Sequence, residues 1–270
     1  MAGDNYTTGE KNVAVGYDAL TADTQGRKNT AVGKGTLTTQ NFSTITDSHN
    51  TAVGNDAGND ITTGIQNTFC GSLAGDALTD ADYNVALGYA ALTADTTGSK
   101  STAIGTFSLN TQNFTTASDS YNTAVGYNTG SAISTGTQNV FVGALAGDAL
   151  SASSYNTAVG YGALTDDTLG NRSTAIGYLA LHNQNFTTAT TSFNTAVGYG
   201  AGGEVTTGQS NTLMGDSAGD AITTGGLNVC IGTFAGSACS TVSDNTFVGA
   251  FAGDAATSGE NTGIGSGALG

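Results

Sequence analysis

Apolar and polar positions alternate along this chain inside one recurring phrase, Asn-Thr-Ala-Val-Gly-Tyr-x-Ala-Leu/Gly. It starts at residues 12, 29, 50, 67, 84, 101, 122, 139, 156, 173, 194, 211, 228, 245 and 261. The steps are 17 or 21 residues, with a last step of 16, and they cycle as 17, 21, 17, 17, a higher period of 72 residues. The fourth position is always apolar, from Val15, Val32, Val53 and Cys70 to Ile264, and the fifth is Gly in all fifteen copies. The eighth is small, with Thr36, Ser108 and Thr129 the only departures from Ala, and the first is Asn except at Ser101 and Ser173. Short β-branched runs between two Gly-marked bends do not fit a helical hairpin. They suit one rung of a parallel β-solenoid, in which each coil lies about 4.8 Å from the last and buries its apolar face by stacking.

The pattern therefore predicts an all-β chain, a parallel β-solenoid of about 15 coils of 17 or 21 residues. Residues 1–11 read as an N-terminal cap or partial coil, and 12–270 as a single repeat domain. Its four-coil blocks are 12–83, 84–155 and 156–227, with a truncated block at 228–270. Fifteen rungs at that spacing predict a rod of roughly 70 Å. The first-position Asn column reads as a ladder of side-chain amides at a turn. A second Gly column, including Gly9, Gly26, Gly64 and Gly98, marks the other bend.

Each strand alternates its side chains between two faces. Thr30 and Val32 point one way, Ala31 and Gly33 the other, and neither side is polar. A single chain is thus expected to leave a strip of Ala and Gly facing water, enlarged in places to Phe or Leu. An apolar strip of that extent marks a subunit contact. Ala31, Phe69, Ala103, Phe141, Ala175, Leu213 and Phe247 are the expected contact residues of a homo-oligomer.

Composition narrows the functional classes. The 270 residues include 41 Gly and no Pro or Trp, and 10% are charged. Without Pro or a strict Gly-X-Y period the chain is not collagen, and 38% hydrophobic residues argue against disorder. Apolar runs are far shorter than the roughly 20 residues of a membrane span, so no membrane insertion is expected. A net charge of -15 repels phosphate backbones and argues against nucleic acid as a partner. No Lys or Arg follows Arg172. Cys70, Cys230 and Cys239 read as incidental thiols, with a Cys230–Cys239 bridge the lesser alternative.

Chemistry-bearing motifs dissolve into repeat columns. Gly215-Asp216-Ser217-Ala218-Gly219 matches a nucleophile elbow, but that motif needs a strand-turn-helix setting and a later His, whereas His49 and His182 both precede Ser217. Gly265-x-Gly267-x-x-Gly270 opens no βαβ unit. Asp23, Asp95 and Asp167 form one column and Asp76, Asp148, Asp220 and Asp254 another, each read as turn residues bonding nearby backbone. No enzyme activity and no cofactor are expected; calcium at Thr79-Asp80-Ala81-Asp82 or Asp166-Asp167 is the lesser alternative.

The 21-residue coils carry Gln40-Asn41-Phe42, Gln112-Asn113-Phe114 and Gln184-Asn185-Phe186, each followed by Ser and Thr. Their four extra residues are expected to bulge outward and offer a repeated polar-aromatic ligand site, whose strength would come from avidity. The alternative is that each Phe tucks back over the solenoid. Tyr17, Tyr89, Tyr127, Tyr161, Tyr178 and Tyr199 form a sixth-position stripe, read as structural. A column running from Thr7 through Thr24, Thr62 and Thr96 to Thr257 raises a second functional class, an ice-binding solenoid face.

Ser101-Thr-Ala-Ile-Gly105, Ser173-Thr-Ala-Ile-Gly177 and Asn194-Thr-Ala-Val-Gly198 resemble the head repeats of trimeric autotransporter adhesins of the YadA type, repeats also found in bacteriophage tail fibres. The resemblance runs over residues 12–269. It implies a left-handed β-roll, three chains side by side, and attachment to a cell-surface glycan or protein receptor from an extracellular, cell-surface or virion location. The coils here are longer than the compact adhesin rung, and neck, stalk and anchor segments are missing. Both features favour a phage fibre, or a free-standing or excised rod, over an autotransporter.

Overall fold

The computed structural model describes residues 1–270 and contains no helix. Fifteen three-residue strands account for the fifteen phrases, and the chain divides into two compact units, Met1–Thr137 and Gln138–Gly270. In the first unit the strands Val13–Val15, Thr30–Val32, Thr51–Val53, Thr68–Cys70, Val85–Leu87, Thr102–Ile104 and Thr123–Val125 pair in parallel in chain order. In the second unit the strands from Val140–Val142 to Thr262–Ile264 do the same. Register is strict: Val13 lies opposite Thr30, Ala14 opposite Ala31 and Val15 opposite Val32. Both units are thus parallel β-solenoids. Residues 1–11 stack on the first full coil, with Gly3 donating to the Ala19 carbonyl and Thr7 to that of Thr24.

Two columns hold the coils in register. The fifth-position Gly sits at φ between 121° and 147°. A Cβ on Gly33 would stand 2.0 Å from the carbonyl oxygen of Gly54 in the next coil, so only Gly lets the backbones approach. The second column is the predicted Asn ladder, now seen to lie inside. The Asn67 N–H donates to Asn50 Oδ1 at 2.9 Å, and Asn67 Nδ2 donates to the Ala81 carbonyl at 2.7 Å. Asn50, Asn67 and Asn84 are fully buried, and each amide satisfies backbone groups in its own and the neighbouring coil.

The structure corrects which face of each strand is the interior. Ala31, Phe69, Ala103, Phe141, Ala175, Leu213 and Phe247, expected to meet another subunit, are all wholly buried within the single chain. The chain turns at the fifth-position Gly and returns over the third residue, so the third position lies on the concave side. The outer face carries the second and fourth positions instead. Val13, Val15, Val53, Leu87, Val140, Val142, Ile176, Met214 and Ile264 are exposed there.

Candidate functional site

The extra residues of the 21-residue coils form three small two-stranded sheets, one for each such coil. Thr46–Asp47 pairs in parallel with Gly26–Arg27, Ser118–Asp119 with Gly98–Ser99, and Thr190–Thr191 with Gly170–Asn171. Their Gln-Asn-Phe triplets do not project as a binding loop. Gln40, Gln112 and Gln184 are fully buried, and Phe42, Phe114 and Phe186 are only 4–7% exposed. Asn41, Asn113 and Asn185 alone face solvent. The physical reason lies one coil back, where Asp23, Asp95 and Asp167 are buried at the same position in the repeat, seventeen residues earlier.

Each buried carboxylate needs donors, and the longer coil supplies them. Asp95 Oδ1 accepts the N–H of Gly98 at 3.1 Å and of Phe114 at 3.0 Å, while Oδ2 accepts Gln112 Nε2 at 2.5 Å. Gln112 Nε2 also donates to Ser101 Oγ at 2.8 Å, and Gln112 Oε1 accepts Asn122 Nδ2 at 2.8 Å. Asp167, Gln184, Ser173 and Asn194 repeat the same network with the same partners. Asp23, Gln40 and Asn50 form the corresponding chain in the first block. Burial raises the carboxyl pKa of Asp95 and Asp167, against the opposing pull of these hydrogen bonds. The triplets thus close a buried polar network.

The repeat pattern read along the chain puts these aspartates at corners and the glutamines in a loop. The signal that joins them was present: both occupy the twelfth position of the repeat, where the other coils carry Ile61, Leu78, Ile133, Leu150, Val205, Ile222, Cys239 and Ala256. A polar pair in an otherwise apolar interior column reads as a stacked hydrogen-bonded pair.

The outer surface holds the remaining features. Tyr161 and Tyr178 stack at 5.5 Å with an interplanar angle of 13°, and Tyr178 and Tyr199 at 5.2 Å and 7°. These rings lie immediately after the outward-facing strands and are 44–61% exposed. In the threonine column, Thr7, Thr206 and Thr223 donate their hydroxyls to carbonyls of the next coil, and Thr62 donates to Asp80 Oδ1 there. Those hydroxyls are committed to the stack and present no free O–H array.

Asp80 Oδ1 accepts the hydroxyls of Thr62 and Thr63, and Asp82 Oδ1 accepts the Ile65 N–H, tying both aspartates to the preceding coil. No group of three or more His, Cys, Asp or Glu side chains is arranged to hold a metal ion. All three cysteines are free, and burial pushes the Cys230 thiol up to about 12 and that of Cys239 to about 11. Around Ser217 the backbone donors are already engaged. The N–H groups of residues 217, 218 and 219 donate to the Tyr199, Gly215 and Ala235 carbonyls.

Comparison with known protein families, curated proteins and solved structures finds no match to this chain.

Proposed function

We propose that this protein is a non-enzymatic fibre or adhesin segment that assembles as a homotrimer through the outer faces of its main strands and attaches to a glycan or protein on a cell surface. The observation that carries the reading is the outward column of fourth-position side chains. Val53 and Leu87 in the first unit, and Val142, Ile176 and Met214 in the second, are between 37% and 45% exposed at the same position of their strands. Repeated apolar exposure of this kind is expensive in water, at about 25 cal/mol per Å², and is relieved when a like surface covers it. The resemblance of Ser101–Gly105, Ser173–Gly177 and Asn194–Gly198 to trimeric adhesin heads supports the same reading and an extracellular or virion-surface location.

Light scattering or sedimentation tests the assembly. Wild-type protein is expected at about three times the chain mass of 26.6 kDa. The double substitution Leu87→Lys and Met214→Lys, at exposed positions that leave the interior untouched, is expected to give a folded monomer. A wild-type monomer overturns the assembly. Glycan and cell-binding arrays test the attachment role; absence of binding by the assembled protein removes it and leaves a structural spacer.

A further inference from the structure

In the second unit one cleft, of about 230 Å³, is built differently from its repeats. Tyr178, His182, Tyr199, Glu204, Ser217 and Asp220 line it, with Gly200 and Gly203 in its floor. One block earlier, 72 residues back, the chain carries Asn128, Ser131 and Leu145 where this cleft has Gly200, Gly203 and Ser217. Three side chains have shrunk, and the space they vacate is the cleft. His182 replaces Asn110, whose amide donates to the Ser131 and Phe107 carbonyls.

The shielded polar atoms without a partner here are acceptors. Asp76 and Asp148, the equivalents of Asp220, each accept a threonine hydroxyl at 2.5 Å, from Thr93 and Thr165. Ser237 stands at that place after Asp220, no such bond forms, and Asp220 Oδ1 is left shielded from water without a partner. His182 Nδ1 is in the same condition; with the proton on Nε2 it is an acceptor. Glu204 receives a single side-chain donor, Asn183 Nδ2 at 3.1 Å. Burial, with repulsion from Glu204 and Asp216, raises the Asp220 pKa. No Lys or Arg lies anywhere after residue 172 to compensate these charges. The stacked rings of Tyr178 and Tyr199 stand beside the carboxylates and add the negative potential of their faces.

A group with several N–H donors, a positive charge and no acceptor completes this set. A neutral hydroxylated ligand would leave the charges of Asp220 and Glu204 without a counter-charge. We infer that this cleft binds a primary alkylammonium group. Its charge lies toward Asp220, Glu204 and His182 Nδ1, and its methylene stem packs along Tyr178 and Tyr199. The inference does not depend on self-assembly through the outer sheet face.

The test is titration of the purified protein with n-pentylammonium chloride, followed by NMR of the tyrosine ring resonances, with 1-pentanol as the neutral control. Saturable shifts confined to Tyr178 and Tyr199 are expected with the ammonium and none with the alcohol. Asp220→Asn is expected to weaken binding about tenfold through loss of the charge. Ser217→Leu, which restores the side chain found at position 145, is expected to abolish binding by filling the cleft while keeping every charge. Nα-acetyl-lysine methylamide identifies the source: tighter binding than pentylammonium assigns a protein lysine, weaker binding a free amine. Equal shifts with the alcohol, no saturable shift at all, or unchanged binding in the Ser217→Leu protein would each overturn the inference.

Discussion

The Phe69 ring occupies the space that a side chain on Gly75 would fill: a Cβ there would stand 2.5 Å from the ring. Gly58, one coil back, has the same relation to the other side of the ring, at 2.6 Å. Where the third position is Phe or Leu, the ninth is Gly, as in Phe141 with Gly147, Leu213 with Gly219 and Phe247 with Gly253. Where the third is Ala and no large neighbour follows, the ninth is Leu, as at Leu20, Leu92 and Leu164. Volume is conserved across the coil although the residues differ.

That complementarity gives a first prediction. Phe69→Ala is expected to destabilise by about 3–5 kcal/mol through the cavity it leaves. Adding Gly75→Leu refills much of the space with a side chain the ninth position already tolerates at positive φ, as Leu92 does at 55°. The double variant should recover more than half of the loss in denaturant unfolding. If it is less stable than Phe69→Ala alone, the volume rule fails.

The fifth-position column makes a sharper demand. At Gly88, φ is 139° and a Cβ would meet the Gly105 carbonyl carbon and oxygen at 2.6 Å. Both are backbone atoms and neither can move without opening the ladder. Gly88→Ala should cost more than about 3 kcal/mol. A change in melting temperature of only a degree or two would contradict the close approach.

The polarity of the buried network can be reversed as a unit. Asp95→Asn turns a donor toward Gln112 Nε2, and flipping Gln112 would then set its amide nitrogen against Asn122 Nδ2. The single substitution should cost about 1–3 kcal/mol. With Gln112→Glu added, the carboxylate at position 112 accepts from the amide at position 95, still accepts from Asn122, and accepts the Ser101 hydroxyl once that rotates toward it, so stability should return. A double-mutant cycle measures the coupling, and additive losses would sever the pair.

Acid should stabilise this protein over a defined range. Asp76, Asp82, Asp95, Asp167 and Asp220 have pKa values raised above the ordinary 3.8, each chiefly by burial. Their contribution is therefore fully present below 3.8 and is lost as pH rises through the raised values. Asp47 and Asp119 are lowered by hydrogen bonds to Lys28 and Lys100, so their contribution falls away only below 3.8. Relief of self-repulsion at a net charge of -15 acts in the same direction as the buried group. Melting temperature should rise as pH falls from about 7 to about 4, followed by calorimetry. A steady fall over that range would contradict the burial of these carboxylates.

Period, coil number, parallel stacking, the Gly bends and the Asn ladder were all legible in the sequence, because each is a column property that repeats at a fixed step. The strand alternation also defined two faces at every rung. It did not say which face is concave, since Ala and Gly on one side and Thr and Val on the other are both compatible with burial. Only the closed coil decided that Ala31 and Phe69 lie inside and Val53 and Leu87 outside, because the turn at the fifth-position Gly folds the chain back over the third residue. The same closure drew Gln112 and Phe114 inward, where a buried carboxylate one coil away required hydrogen-bond donors that no local pattern could show.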